Sequence, residues 1–253
     1  MGNSLQSSRE EEVDLEHETL NRTIKFWEEP DFNLMAFKIS ETKSGTLSDD
    51  LVLDAFDQNL IDLLFPVSSC KCDIKNKKSC SICKRASYCC ERCQKLNWKI
   101  HKKVCIPTNE FKILEVGAGS GWHTKNIISK FSFLNIISTD YIIPDVCYHK
   151  IYRYLSHQAV KEFEGQFHAL LLISPPPNIY VDYYAIKEYE LQKTKKRKIV
   201  IYIGELGASD GGRGMYKYML ENSIWKLIHR KVLKESVDAL GGPCIKELFV
   251  FTD

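Results

Sequence analysis

The spacing of the cysteines constrains this chain more than any other feature of its sequence. Eight of the ten cysteines lie between Cys70 and Cys105, in a stretch that is rich in lysine and poor in large aliphatic residues. Such a segment cannot bury enough apolar surface to fold unaided. Because residues 1–20 are polar and acidic and form no apolar signal-peptide core, the clustered thiols favour a metal site over a disulfide framework. We therefore expect residues 70–105 to fold around metal ions.

The cysteine-rich block offers enough ligands for two zinc ions. Eight ligands complete two tetrahedral sites, the usual arrangement of structural zinc, and zinc stabilises the thiolate form that cysteine must adopt to bind it. Cys90 is surplus to this set, so it either carries a free thiol or takes the place of a neighbour. The candidate ligands are seven thiols and one imidazole: Cys70, Cys72, Cys80, Cys83, Cys89, Cys93, His101 and Cys105.

The order of these residues closely resembles the MYND-type zinc finger. The pattern is Cys80-x2-Cys83-x4-Tyr88-Cys89-x3-Cys93-Gln94-x3-Trp98-x2-His101-Lys102-x2-Cys105. The resemblance implies two interleaved sites, one of Cys70, Cys72, Cys89 and Cys93 and the other of Cys80, Cys83, His101 and Cys105. The family usually separates the first pair of cysteines by two residues, whereas one residue separates them here. Whether Cys70 or Cys90 completes the first site is therefore left open.

The charge of the block bears on its partner. Its eleven Lys and Arg outnumber Asp73 and Glu91, and it stays positive after seven thiolates and two zinc ions are counted. A basic finger is typical of nucleic-acid binding. The ligand order, however, is not that of the ββα finger that places a helix in the major groove. Since MYND modules bind proteins, the resemblance implies a protein partner such as a proline-rich peptide, and nucleic acid is the less favoured partner.

After Pro107 the composition changes to that of an α/β domain. Short β-type runs at Phe111 to Val116, Ile136 to Thr139, Phe167 to Ile173 and Ile199 to Ile203 surround a helical stretch at Thr124 to Lys130. Strands that alternate with helical segments predict βαβ units and a parallel sheet. Two further runs, Trp225 to Leu233 and Ile245 to Thr252, flank a Gly-Gly-Pro turn and predict a closing antiparallel pair. Residues 48–65 are predicted to be helical, with Ser48 as cap and Pro66 as stop.

A glycine-rich turn follows the first strand of this domain. The segment Glu115-Val116-Gly117-Ala118-Gly119-Ser120-Gly121 precedes a helix, and Asp140 ends the next strand, where an acidic side chain can hold ribose hydroxyls. Either a dinucleotide or S-adenosylmethionine fits this arrangement. The acidic residue ahead of the turn and the layout of residues 111–253 resemble class I methyltransferases. That resemblance implies a cofactor site of Glu115, Gly117, Gly119, Gly121 and Asp140.

No catalytic residue is identified from the sequence. The segment Ser174-Pro175-Pro176-Pro177-Asn178 stands where amino-methyltransferases carry a polar residue, two prolines and an aromatic residue, but Pro177 replaces the aromatic. A proline-stiffened loop is the preferred interpretation. A second glycine-rich loop at residues 204–214 offers Glu205, Asp210 and Arg213 as substrate contacts, and a flexible turn is the equal alternative.

The cellular location is expected to be intracellular, either cytoplasmic or nuclear. No apolar run is long enough to span a bilayer, so we expect no membrane association. The basic run Lys193–Lys198 resembles a nuclear-import signal, but a solvated linker before a strand is preferred.

The sequence thus predicts three regions: a polar and helical N-terminus (1–66), a double-zinc MYND-like finger (67–107) and a methyltransferase-like Rossmann-like α/β domain with helices on both faces of its sheet (108–253). The favoured function is a protein-interaction finger coupled to an S-adenosylmethionine-dependent methyltransferase. One alternative is a non-catalytic adaptor whose Rossmann-like domain is only a scaffold. Another is a nucleic-acid-binding or nucleic-acid-modifying protein.

Overall fold

The computed structural model of the chain describes residues 49–65, 70, 72, 77–102, 105–107, 110–175, 181–194, 197–204, 218–220, 224–237 and 243–253. All of them belong to one compact unit, Leu47–Asp253. The expectations of Ser48 as a cap and of Pro66 as a stop lie outside the described residues, as do residues 1–20.

The described residues form two sheets and six helices of at least seven residues. In chain order the elements are α1 (Asp49–Ala55), α2 (Gln58–Leu64), β1 (Lys78–Ser79), β2 (Ser87–Tyr88), α3 (Glu91–His101), β3 (Lys112–Val116), α4 (Trp122–Lys130), β4 (Asn135–Asp140), β5 (Ile151–Arg153), α5 (Ser156–Glu162), β6 (Ala169–Ile173), α6 (Val181–Leu191), β7 (Ile199–Gly204), β8 (Lys226–Val237) and β9 (Pro243–Thr252).

The large sheet has seven strands in the order β5-β4-β3-β6-β7-β9-β8. Strands β3 to β7 are mutually parallel, and β9 runs antiparallel to both β7 and β8. The chain moves outward from β3 to β5 and then returns to place β6 on the other side of β3. Ligands bind at such a reversal in open α/β sheets, beyond the carboxyl ends of the strands. The predicted parallel sheet and closing antiparallel pair are confirmed.

Helices cover both faces of this sheet, as predicted. Every residue of β6 and β7 is buried, which is typical of parallel strands that are covered on both sides. Residues of α1, α2 and α4 pack against one face of the sheet. Residues of α5 and α6 pack against the other face.

The segment predicted as one helix at residues 48–65 is two helices. The chain breaks at Phe56–Asp57, where the Asp57 carboxylate caps α2 by accepting the N–H of Leu60 at 2.9 Å. Lys231 of β8 stabilises the break, since its Nζ contacts Asp54 O at 2.8 Å and Asp57 Oδ2 at 3.0 Å. A cation beside the last carbonyls of α1 is favourable. The helical prediction for residues 48–65 therefore holds at 49–55 and 58–64, and the element is interrupted between them because Asp57 acts as a cap.

The basic run before β7 also differs from expectation. Lys198 is buried, and its Nζ donates to the carbonyl of Glu190 in the last turn of α6 at 2.7 Å. Its backbone N–H donates to Asp253 at 2.9 Å. This end of the run is therefore part of the packed domain and not a solvated linker, while Lys195 and Lys196 lie outside the described residues.

Candidate functional site

The cysteine-rich segment folds into a hairpin, β1–β2, followed by α3. At the tip of the hairpin, Cys80 N–H donates to Ala86 O at 2.7 Å and Lys84 N–H donates to Cys80 O at 3.0 Å. Lys84 adopts a left-handed backbone conformation with φ of 60°. This tight turn places the Cys80 and Cys83 thiols on one side, where Cys83 Sγ lies 3.5 Å from His101 Nε2 of α3.

The structure brings the eight candidate ligands together in two groups of four. Within each group, all ligand atoms lie within 4.8 Å of one another. These groups are the two sets that the resemblance to the MYND finger implied. They are Cys70, Cys72, Cys89 and Cys93 in the first cluster, and Cys80, Cys83, His101 and Cys105 in the second.

The spacing within the clusters fits tetrahedral zinc. Zn–S bonds of about 2.3 Å and Zn–N bonds of about 2.05 Å place two ligand sulfurs about 3.8 Å apart and a sulfur and a nitrogen about 3.6 Å apart. The Cys72–Cys93 and Cys80–Cys105 sulfur pairs are 3.7 Å and 3.8 Å apart. Both clusters therefore match the chemistry and the geometry that zinc requires.

Cys70 and Cys90 have different positions in the first cluster. The Cys70 sulfur lies in the four-residue group, is buried and accepts the N–H of Cys89 at 3.3 Å. Cys90 is exposed, and its sulfur lies 3.7 Å from Cys89 Sγ. The structure thus places Cys70 in the first cluster and Cys90 at its rim.

The thiols of the second cluster differ in how readily they ionise. Burial opposes ionisation of Cys80, but the N–H of Cys83 and the ring of His101 stabilise its thiolate and lower the pKa of Cys80 to about 6. Burial and the adjacent Cys80 sulfur raise the pKa of Cys105 to about 12. Neighbouring thiolates repel each other, and a divalent cation between them removes that conflict. A metal ion is the partner that lets the whole cluster ionise.

A finger residue that the sequence did not single out fixes the finger on the α/β domain. Arg85 donates to the Asp62 carboxylate at 3.1 Å and to the carbonyl of Ile61 at 3.4 Å, both in α2. Its guanidinium lies 4.7 Å from the ring centroid of Phe65, and that ring is 4.4 Å from the ring of Phe111, directly before β3. The finger therefore docks at the amino-terminal edge of the sheet.

The glycine-rich turn lies at the opposite, carboxyl edge. The N–H groups of Gly117 and Ala118 donate to the Thr139 carbonyl at 2.9 Å and 3.0 Å, which holds the turn against β4. Gly117 and Gly119 have φ of 77° and 56°, and a Cβ added at either position would meet no atom within 4 Å. The turn therefore presents bare backbone to an open space.

Asp140 lies beside this turn, as expected. Its carboxylate accepts the N–H of Gly119 at 2.7 Å and the N–H of Ile142 at 2.9 Å. Burial raises the pKa of Asp140, and these two N–H groups oppose that rise. The N–H of Tyr141 also stabilises the carboxylate. Because a carboxylate has about four acceptor sites, Asp140 can still accept a hydrogen bond from a ligand.

Two residues of the expected cofactor site occupy other places. A Cβ on Gly121 would come within 2.8 Å of His149 Cβ, so this glycine allows close packing of the chain and does not face the open space. Glu115 is buried and accepts hydrogen bonds from Thr124 and Ser138, which ties β3 to α4 and β4. The structure does not bring these two residues to the open edge.

The second candidate loop of this edge is described only at its start. Ser174 follows β6 with φ of 42°, and its N–H donates to Ile203 O at 2.7 Å. The remainder of the proline segment, residues 176–178, lies outside the described residues. So do Glu205, Asp210 and Arg213.

Comparison with known proteins gives one family match. Residues 68–105 match the model of the MYND finger family. No curated protein matches the chain. In the part of the chain that the structure describes, we find no helix whose length and hydropathy would let it traverse a bilayer.

Several solved structures resemble the fold. A SAM-dependent methyltransferase from Methanosarcina mazei is 12% identical, covers 57% of this chain and 93% of its own, and has a TM-score of 0.39. An antibiotic-related methyltransferase is 13% identical, with coverage of 58% and 90% and a TM-score of 0.41. A putative RNA methyltransferase from Pyrococcus horikoshii is 11% identical, with coverage of 77% and 96% and a TM-score of 0.35.

These TM-scores are too low to support a conclusion about activity. The architecture follows instead from the strand order, the antiparallel final pair and the helices on both faces. The chain thus contains a MYND-type zinc finger at residues 68–105 and a seven-stranded mixed α/β sheet with helices on both faces, whose fold is similar to that of the methyltransferase structures named above.

Proposed function

We propose that the α/β domain binds S-adenosylmethionine and is a methyltransferase, and that the finger holds two zinc ions and binds a protein partner. The open glycine turn beside Asp140 is the observation that carries the first part. It lies at the end of β3, next to the point where the strand order reverses. Nucleotide ligands bind at this place in open α/β sheets.

The residues of the turn have distinct roles in this proposal. Gly117 and Gly119 leave backbone accessible to a ligand, because neither carries a side chain into the open space. Asp140 accepts hydrogen bonds from ribose hydroxyls with its remaining lone pairs. S-adenosylmethionine, when bound, supplies an activated methyl group. Methyl transfer depends chiefly on positioning, so a dedicated acid or base is not required.

A specific observation also favours the adaptor alternative. The Asp140 carboxylate already accepts the N–H of Gly119, which ties the glycine turn to the end of β4, and the N–H of Ile142, which orders the chain after β4. A domain that had become a scaffold would keep this hydrogen bonding for stability alone. Binding of the cofactor therefore decides between the enzyme and the adaptor.

Zinc is proposed for both clusters, with the ligand sets described above. The second cluster includes His101, whose ring lies 6.0 Å from the ring of Tyr88 and 5.8 Å from that of Trp98. These rings orient the imidazole so that Nε2 faces Cys83.

A protein partner is proposed for the outer surface of α3. Leu96 and Ile100 lie one helical turn apart on the same face of α3 and are exposed at 69% and 66%. Exposed apolar side chains on one small module favour an interaction surface. A proline-rich peptide is one partner of suitable chemistry, and the surrounding lysines favour acidic residues beside it.

Calorimetry on the purified full chain tests the cofactor proposal. We expect S-adenosylmethionine to bind, and Asp140→Ala to weaken binding by roughly 10- to 100-fold, because a charged acceptor contributes about 1.5–3 kcal/mol. Asp145→Ala is the matched control, since Asp145 is an exposed carboxylate in the segment that follows β4. Absence of a heat of binding at millimolar S-adenosylmethionine, from a protein with a normal melting temperature, would favour the adaptor function over the methyltransferase function.

A further inference from the structure

Among the eight cysteines of the block, all of which the structure describes, Cys90 alone belongs to neither zinc cluster. Its thiol is exposed. Cys90 lies directly before α3, and its extended backbone, with φ of −158° and ψ of 167°, makes it the N-cap residue of that helix. Serine, threonine, asparagine and aspartate are the usual residues at such a position. The chain thus has a free thiol where a hydroxyl or a carboxylate is common.

The sulfur of Cys90 lies beside the first zinc cluster. It is 3.7 Å from Cys89 Sγ, which in turn is 3.5 Å from Cys93 Sγ. The side chains of Cys90 and Cys93 also interact with each other. The three thiols therefore form one contact group, in which Cys89 and Cys93 are ligands of the cluster and Cys90 is not.

Within this group, Cys93 is the better disulfide partner for Cys90. The two residues form a Cys-x2-Cys pair across the first turn of α3, where positions three apart are neighbours, and such pairs at a helix N-terminus are a common redox arrangement. Cys89 is less suitable although its sulfur is near. Consecutive Cα atoms are about 3.8 Å apart, whereas a disulfide usually needs a separation of about 4.4–6.8 Å.

We propose that Cys90 is the site at which hydrogen peroxide oxidises the finger, and that a Cys90–Cys93 disulfide then empties the first zinc site. This inference rests on the zinc ions of the proposed function. Peroxide oxidises exposed thiols that lie next to a second, resolving thiol. Because the resolving thiol Cys93 is itself a ligand, formation of the disulfide removes a ligand from the metal.

The oxidation balances with hydrogen peroxide as its only co-reactant. The Cys90 sulfur attacks one peroxide oxygen, the O–O bond breaks, hydroxide leaves and Cys90 becomes a sulfenic acid. The Cys93 sulfur then attacks the Cys90 sulfur, the S–O bond breaks and a second hydroxide leaves. Solvent protonates both hydroxides to water. Each sulfur loses one electron and peroxide gains both, so the first cluster keeps three ligands, one fewer than a tetrahedral site needs.

The second cluster should keep its ion. Its ligand His101 lies at the other end of α3, eight residues after Cys93, which is about 12 Å along the helix axis. There His101 Nε2 is 3.5 Å from Cys83 Sγ. Oxidation at Cys90 is therefore expected to release one zinc ion and to leave the other bound.

Zinc release from the zinc-loaded full chain, followed with a colorimetric chelator after addition of hydrogen peroxide, tests the proposal. Relative to the untreated chain, we expect rapid release of one of the two ions. Cys90→Ser should lose this rapid release and stay folded, because serine is a preferred helix cap. Cys147→Ser is the matched control. It removes another exposed thiol, in the connection that follows β4, and should release zinc as the unaltered chain does.

Tryptic mapping without reduction identifies the disulfide. Cleavage after Arg92 separates Cys90 from Cys93, so their disulfide joins two peptides, and the joined pair should be missing in Cys90→Ser. A disulfide between Cys89 and Cys90 would stay within one peptide. Dithiothreitol and added zinc should reverse both the cross-link and the loss of metal.

Three outcomes would overturn the proposal. They are equal rates of zinc release from Cys90→Ser and the unaltered chain, a first disulfide that does not include Cys90, and simultaneous release of both ions. A chain that holds two ions and releases neither on oxidation would refute this inference and leave the zinc sites standing. A chain purified without zinc would refute the zinc sites themselves, and elemental analysis before oxidation separates these two results.

Discussion

Replacement of Arg85 by Ala should uncouple the finger from the α/β domain. The side chain of Arg85 is 18% exposed, whereas that of its partner Asp62 is 54% exposed. The ion pair is therefore screened and contributes at most about 1 kcal/mol. The contact with the Phe65 ring adds about 0.5–1 kcal/mol, and the buried stem of the arginine adds a similar amount. We expect a total loss of about 2 kcal/mol from these three contacts.

Thermal unfolding of the zinc-loaded chain measures this loss. For a folded unit of about 200 residues, 1 kcal/mol corresponds to about 2–4 °C, so Arg85→Ala should lower the melting temperature by about 4–8 °C. Lys78→Ala is the control, because Lys78 is an exposed cation of the same hairpin. It should leave the melting temperature within about 1 °C of the unaltered value.

Removal of zinc by a chelator, from the unaltered chain and from Arg85→Ala, completes a thermodynamic cycle. Removal of metal should release the hairpin that carries Arg85, and hydrogen exchange at the buried amides of β6 and β7 should then quicken. In Arg85→Ala the chelator should have a smaller effect on those amides, by the same increment of about 2 kcal/mol. Equal chelator effects in both proteins, or an unchanged melting temperature of Arg85→Ala, would refute the coupling.

Three further predictions concern the metal, the turn and a buried acid. Cys83→Ser should reduce the zinc content from two ions per chain to one, measured by elemental analysis, because a tetrahedral site loses one of four ligands. Gly121→Ala should lower the free energy of unfolding by several kcal/mol, because a left-handed φ is combined with a 2.8 Å clash against His149. Gly119→Ala should lower it by only about 1–2 kcal/mol but should impair ligand binding more. Melting curves measure the first effect and calorimetry measures the second. Burial raises the pKa of Glu115, so its carboxyl group stays protonated to higher pH in the folded chain than in the unfolded chain. The stability that the protonated group contributes is complete below about pH 4.3 and is lost as the pH rises through the pKa of the folded state. Glu115→Gln should lack that decline in denaturant titrations across pH, and a parallel decline in both proteins would contradict this assignment.

Features with a short-range signature could be predicted from the sequence. The spacing of the cysteines, through the MYND resemblance, predicted which ligands form each group, because a tight turn or one helical turn brings ligands that are close in sequence together. Strands β3, β4, β6 and β7 could be predicted because each is an apolar run, whose side chains are buried on both faces of the sheet. The closing pair follows from two such runs around a Gly-Gly-Pro turn.

Features that depend on distant contacts could not be predicted. Asp57 interrupts a helical pattern by a local cap that Lys231, from β8, stabilises. In the sequence, nothing distinguishes Arg85 from the other ten lysines and arginines of the cysteine-rich block. Only the structure shows that it packs against α2 and Phe65. Glu115 matches a cofactor motif by position, yet its carboxylate bonds to Thr124 and Ser138 in the interior. The cap at Asp57 is local, but Lys231 beside it, the Asp62 partner of Arg85 and the Ser138 partner of Glu115 are all distant in the sequence.

The positions of the finger and the glycine turn limit what the finger can do for the chemistry of the domain. Arg85 and Phe111 hold the finger at the amino edge of the sheet, whereas Gly117 and Asp140 lie at the carboxyl edge. A five-residue parallel strand such as β3 spans about 17 Å, so the residues of a peptide that contact α3 do not themselves contact the turn. Under the proposed function, the finger determines where the protein is anchored and the carboxyl edge, with Gly117, Gly119 and Asp140, binds the cofactor and substrate. A partner bound to the finger would then change the local concentration of a substrate, and with it the apparent KM, while kcat on a free substrate stays the same.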